Sequence, residues 1–71
     1  MSPDEIAETL AQARYDERLT VRTVGARLGV VPSAVNGWEL GRRRPSLDNL
    51  TAWADSLGYE VALIPKKETR C

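Results

Sequence analysis

The sequence predicts a mostly α-helical domain of four short helices, closed by a short C-terminal β-strand. Apolar residues recur at three- and four-residue spacing along most of the chain. The helical runs open at Ser, Thr or Pro and stop at a glycine or a polar cluster. The last apolar stretch, residues 59–64, instead alternates with a period of two between Gly58 and Pro65. At 71 residues the chain reads as one domain. A chain this short buries only about 60% of the surface its unfolded form exposes, which leaves no room for a large enclosed substrate cavity.

The first helix opens at Ser2-Pro3-Asp4-Glu5. Ser2 is placed to cap, Pro3 suits the first helical position, and Glu5 completes a capping box. Asp4 and Glu5 also sit at the positive end of the helix dipole. Ile6, Leu10 and Ala13 then mark one apolar face, which ends near Tyr15 in the polar run Asp16-Glu17-Arg18.

Thr20 caps a second helix over residues 20–28, with Val24 and Leu28 facing inward and Gly29 stopping it. Gly25, inside this helix, costs about 1 kcal/mol relative to Ala, so close approach of another helix is expected there. Pro32 opens a third helix over residues 32–40, with Val35 and Trp38 inward and Gly41 as its stop. Pro45-Ser46 begins a fourth, with Leu47, Leu50, Trp53, Ala54 and Leu57 on one face and Gly58 terminating it in the left-handed conformation. Trp38 and Trp53 are read as core residues. The domain then spans residues 1–65, including a strand at 59–64, and residues 66–71 are expected to form a flexible tail.

Composition excludes several functions. There is no His, and the single cysteine is Cys71, so the commonest general base, a thiolate metal cluster and an internal disulfide are all missing. No catalytic nucleophile–base pair or phosphate-cradling glycine loop is evident, so no enzyme, metal or cofactor is expected. No apolar run reaches the roughly 18 residues of a membrane span, and the N-terminus is acidic where a signal peptide is basic. The expected location is the cytoplasm, in association with the nucleoid.

Formal net charge is zero, but it is segregated. Asp4, Glu5 and Glu8 give residues 1–13 a charge of −3; seven arginines against three acids give residues 14–44 +4. Asp48, Asp55 and Glu60 give residues 45–65 −3, and residues 66–71 carry +2 from three cations against Glu68. The local field, and not the sum, governs what such a surface attracts.

Two short amphipathic helices joined by a tight glycine turn form a helix-turn-helix. Gly25 and Gly29 together are more than a bare helical hairpin requires. With that unit in place, the stretch LTVRTVGARLGVVPSAVNGWELGRRRPSLDNLTAWADSLG resembles the lambda-repressor-like DNA-binding domains of the Cro/C1 type, the XRE family. The resemblance covers about residues 2–58 and is strongest from Trp38 to Leu50, in the pattern W-E-x-G-x-x-x-P-S-x-x-x-L.

The resemblance implies that the helix after the turn lies in the major groove of double-stranded DNA, with Pro32, Ser33, Asn36 and Gly37 facing the bases. Asn36 is the best candidate for direct readout, because its amide pairs bidentately with adenine. Pro32 offers only apolar contact, such as to a thymine methyl, and Gly37 offers no side chain. Either the backbone approaches the bases closely there or specificity is weak. Arg42, Arg43 and Arg44 follow where the family's chain runs along the DNA backbone, so they neutralise phosphates or enter a narrow minor groove. Thr20 and Arg22 are further phosphate candidates, whereas Val21 stands where the family usually has a phosphate-touching Gln.

Arg14 and Glu39 fall where the family has a partly buried ion pair between the first and third helices. The strand, paired across a two-fold axis through Tyr59, Val61 and Leu63, would make a homodimer that reads a palindromic operator. The function implied is a bacterial or phage repressor. The alternatives are an antitoxin that represses its own operon and docks a toxin on this segment, and a protein-interaction module that retains the fold.

Overall fold

A computed structural model of the chain describes residues 2–65; the expected tail at 66–71, with Cys71, lies outside the described residues. Four helices follow one another in the order α1 (Pro3–Asp16), α2 (Val21–Leu28), α3 (Pro32–Glu39) and α4 (Leu47–Ser56). The predicted starts hold. Ser2 Oγ accepts from Glu5 N–H at 3.2 Å while the Glu5 carboxylate accepts from Ser2 N–H at 2.7 Å, completing the capping box. The bond from the Ser2 backbone N–H foremost, and then the Ser2 hydroxyl beside the carboxylate, hold the Glu5 carboxyl below its usual range. Thr20 and Ser46 cap α2 and α4 by accepting from Thr23 and Asn49 N–H. The start of α3 is different: Val31 occupies the cap position and makes no side-chain bond.

All four helices end in the same way. A residue one or two positions past the helix turns left-handed, and its N–H and the next one donate back to carbonyls of the last turn, as in a Schellman motif. Gly29, Gly41 and Gly58 supply the left-handed residue of α2, α3 and α4, at φ of 72°, 75° and 83°. Behind α1 it is Arg18, at φ 59°, with Arg18 N–H donating to Tyr15 O and Leu19 N–H to Arg14 O.

The core lies between α2 and the two helices packed on it, α3 and α4, with α1 closing against α3. Val24, Val35 and Trp53 are fully enclosed, with Leu10, Trp38, Ala54 and Leu57 around them. Burying each of these larger apolar side chains contributes about 1.5–3 kcal/mol. Trp38 and Trp53 pack with ring centroids 5.3 Å apart and planes tilted by 46°, a favourable aromatic geometry. Leu47, expected on the inner face of α4, is 74% exposed at its first position.

Gly25 is buried, and a Cβ built there would lie 2.8 Å from the Val30 carbonyl oxygen. The close approach predicted at this site is therefore real: the turn comes nearest, and the first residue of α3 follows, with Pro32 N and Cα 3.4 and 3.5 Å from the same point. Val30 N–H also donates to Gly25 O at 2.9 Å.

One buried ion pair ties the layers together. Arg14 donates from Nε and Nη2 to the two carboxylate oxygens of Glu39, at 2.6 and 2.8 Å, and from Nη1 to Leu19 O at 2.8 Å. The guanidinium also lies 4.5 Å from the Tyr15 ring centroid. The bond to Glu39 raises the Arg14 pKa above its ordinary value, against the opposing effect of burial.

The predicted C-terminal strand is absent. Among the described residues there is no strand, and residues 59–65 are irregular and exposed. A strand needs a second one to pair its N–H and C=O groups, and four helices leave none. Only Tyr59 N–H is bonded inward, to Ala54 O, where it closes the end of α4. The period-two pattern instead leaves apolar side chains in solvent, with Leu63 99% and Ile64 84% exposed.

Three stability measurements follow from this architecture. Arg18→Gly should stabilise the domain by about 1 kcal/mol, because glycine adopts the left-handed conformation without strain; an unchanged or lower melting temperature contradicts the account. Gly25→Ala should destabilise by about 1–3 kcal/mol despite its better helix propensity, because the new Cβ meets backbone; a rise in melting temperature would sink the close-approach argument. Glu39→Ala should cost about 3–5 kcal/mol by stranding a buried guanidinium, whereas Glu17→Ala should change little. Equal shifts in thermal melts would remove the pair from its structural role.

Candidate nucleic-acid interface

The exposed face of α3 is set by helical periodicity. Pro32, Asn36 and Leu40 form one row at spacing four, with Ser33 beside it. All four side chains are exposed. The opposite side of α3 carries Val35 and Trp38 into the core, so this row faces outward because the core fixes the rotation of the helix. Its chemistry is one amide, one hydroxyl and two apolar groups.

Gly37, expected at the bases alongside them, is placed differently. It is buried, and a Cβ there would lie 2.8 Å from Arg43 Cδ and 2.9 Å from Arg43 Cγ. The stem of Arg43 lies across it, so Gly37 is a floor for that side chain and not part of the outward row.

The three arginines are brought to the end of α3. Arg42 and Arg43 N–H both donate to Gly37 O, at 2.9 and 3.2 Å, which folds the chain back over the last turn. The Arg42, Arg43 and Arg44 side chains are exposed. Among the described residues the one ion pair is Arg14–Glu39, so none of the three forms a salt bridge there, although the Asp4 carboxylate stands close by, 3.8 Å from where a Gly41 Cβ would be.

Thr20 and Arg22 stand at the start of α2, both exposed. The Thr20 hydroxyl is engaged locally: Oγ1 accepts from Thr23 N–H at 3.1 Å and shares a further bond with Thr23 Oγ1. It first of all caps α2. Arg22 has no such engagement.

Two exposed apolar residues extend the outward surface of α3 and were not singled out in the sequence. Val31, just before Pro32, is 60% exposed, and Leu40 is 57% exposed. The spacing of four from Pro32 through Asn36 to Leu40, inside the expected helix 32–40, was the available signal.

Among the described residues no group of three or more His, Cys, Asp or Glu side chains is placed to hold a metal ion, and no helix is long and apolar enough to cross a membrane. Nothing in the site is arranged for bond-making chemistry. What it presents is a row of short base-sized contacts flanked by unpaired cations.

Comparison with known proteins agrees with that geometry. The chain is 33% identical over 64 residues to the uncharacterized HTH-type transcriptional regulator y4dL of Sinorhizobium fredii; the match covers 90% of this chain and 33% of that protein. The chain thus spans about a third of the length of this relative. No solved structure matches it significantly. The helix-turn-helix family matches residues 10–64, from within α1 to beyond α4. With the two-helix unit, its glycine turn and the outward row of α3 in their expected places, the chain belongs to the XRE-type helix-turn-helix family.

Proposed function

We propose that this chain is a non-enzymatic, sequence-specific double-stranded DNA-binding regulator of transcription. It lays α3 in the major groove and grips the flanking backbone with the arginine loop. The observation that carries the reading is the junction of two features on one short segment. The outward row Pro32, Ser33 and Asn36 ends against Arg42, Arg43 and Arg44, which are exposed and unpaired among the described residues. The description of the Sinorhizobium relative as a transcriptional regulator supports it.

Within this reading Asn36 pairs with adenine, and Ser33 contacts a neighbouring base or sugar. The apolar groups of Pro32, Val31 and Leu40 meet thymine methyls. Arg22 and the three arginines take phosphates and release counterions. The Thr20 hydroxyl joins them while it caps α2.

The chain acts as a repressor by occupying an operator, in the cytoplasm at the nucleoid. Two copies read a palindrome whose half-sites lie about one helical turn apart. The exposed apolar side chains of Tyr59, Val61 and Leu63 support contact between copies, through side chains and without a strand ladder.

The test is selection of binding sites from a random duplex library, followed by salt titration on the winner. A palindrome with a steep negative salt slope is expected. A non-palindromic winner removes the two-copy arrangement but keeps DNA recognition, and no enriched site removes the reading. On the selected site, Asn36→Ala should cost about 1–3 kcal/mol and relax preference at one base pair, whereas Arg42→Ala should weaken all sequences alike and reduce the salt slope by about 1. If Asn36→Ala weakened every sequence uniformly, it would not be a base reader.

A further inference from the structure

We propose that Gly37 is the positioning residue for Arg43. By having no side chain, it seats the arginine stem on the backbone of α3 and so fixes where the guanidinium stands relative to the outward row of that helix. The inference rests on the DNA-binding reading above and deepens it.

Three contacts converge on Gly37. Its carbonyl takes two N–H donors from the loop, Arg42 at 2.9 Å and Arg43 at 3.2 Å. Above its Cα lie Arg43 Cγ and Cδ, at 2.9 and 2.8 Å from where a Cβ would be. Arg43 Cβ is 3.4 Å from the same point. Gly37 lies one turn beyond Ser33 and beside Asn36, so the stem crosses the helix next to the residues read as base contacts.

A long arginine side chain is otherwise free to rotate, and holding it costs conformational entropy on binding. An arginine already laid against the helix meets its phosphate with less left to order. Backbone bonds fix where the Arg43 Cα sits; the missing Cβ at 37 fixes the direction in which its side chain leaves.

The two buried glycines of the domain separate this role from simple packing. At Gly25 the obstructing atom is a backbone carbonyl oxygen, which cannot move without the turn. At Gly37 the obstructing atoms belong to an exposed side chain, which can swing away. Alanine is also the better helix former inside α3. Gly37→Ala should therefore leave the fold intact and displace only Arg43.

The experiment uses the full chain and a labelled mixed-sequence DNA duplex at low salt, with wild type, Gly37→Ala, Arg43→Ala and the double variant. Gly37→Ala should melt no lower than wild type. Its DNA affinity should fall by about the same factor as that of Arg43→Ala, with the salt slope reduced by about 1 in each. The double variant should bind no more weakly than Arg43→Ala alone. In the absence of DNA, the Arg43 Nε–H signal in NMR relaxation should be ordered in wild type and mobile in Gly37→Ala.

Wild-type affinity in Gly37→Ala, or additive losses in the double variant, would overturn the proposal while DNA binding stands. So would a lowered melting temperature, because it would show that the fold and not the side chain absorbs the clash. Failure of the wild type to bind duplex in a salt-dependent way would instead remove the DNA-binding reading itself. An equally mobile Arg43 signal in both proteins would then also exclude the seating.

Discussion

The bidentate bond between Arg14 and Glu39 is the contact on which the arrangement of this small domain turns. Arg14 sits in the last turn of α1 and Glu39 is the last residue of α3. The same guanidinium also holds the Leu19 carbonyl in the connection to α2. One side chain thus fixes the end of α1, the entry to α2 and the exit of α3. A buried ion pair adds little net stability over an apolar replacement, because both charges must leave water. Its value here is geometric: a forked, two-bond contact allows one relative placement of the helices. That placement decides where α3 ends, and so where the arginine loop begins.

The helix ends form a second level of control. Each helix is closed by the same pair of backward hydrogen bonds, so each connection leaves its helix in a defined direction. In α2 and α3 the residue whose carbonyl accepts the outer bond is itself a glycine, Gly25 or Gly37. In both cases the chain past the cap lies directly on that glycine. Over Gly25 it is the backbone of the turn, which sets the spacing between α2 and α3. Over Gly37 it is the stem of Arg43, which lays the loop along α3. A repeated local motif serves packing in one place and presentation of a charge in the next.

The surface follows from that framework. Zero net charge coexists with a cationic segment because most of the acids lie outside it in sequence, at the start of α1, on α4 and beyond it, although Asp4 comes back beside Gly41. The one partly buried acid of the central segment, Glu39, is consumed by Arg14. The three loop arginines form no ion pair among the described residues, and the outward row of α3, short and largely apolar, sits beside them. Electrostatic attraction from such a loop is independent of nucleic-acid sequence; in the proposed DNA complex, discrimination falls to the few groups of α3.

Much of this was legible in the sequence, for local reasons. Capping residues, proline at first-turn positions and glycine stops act within four residues, and they set the bounds of all four helices to within a residue or two. Arg14, Glu39 and the two tryptophans were placed correctly through their spacing and the family pattern. Tertiary structure decided the rest. A period-two pattern at residues 59–64 specifies a strand only when another strand exists to pair with it, and a four-helix chain offers none. Leu47 lay on the apolar stripe by periodicity, yet the stripe reaches the core only one turn later. Gly37 looked like a gap on the reading face because helical spacing shows which side a residue is on and not what folds back over it. The bond pattern past Gly41 lays Arg43 there, and that depends on long-range placement of the loop. Sequence alone determined where the helices begin and end and which segment carries the exposed polar and cationic side chains. Only the packed structure decided which of those residues face outward, because exposure depends on every neighbour at once.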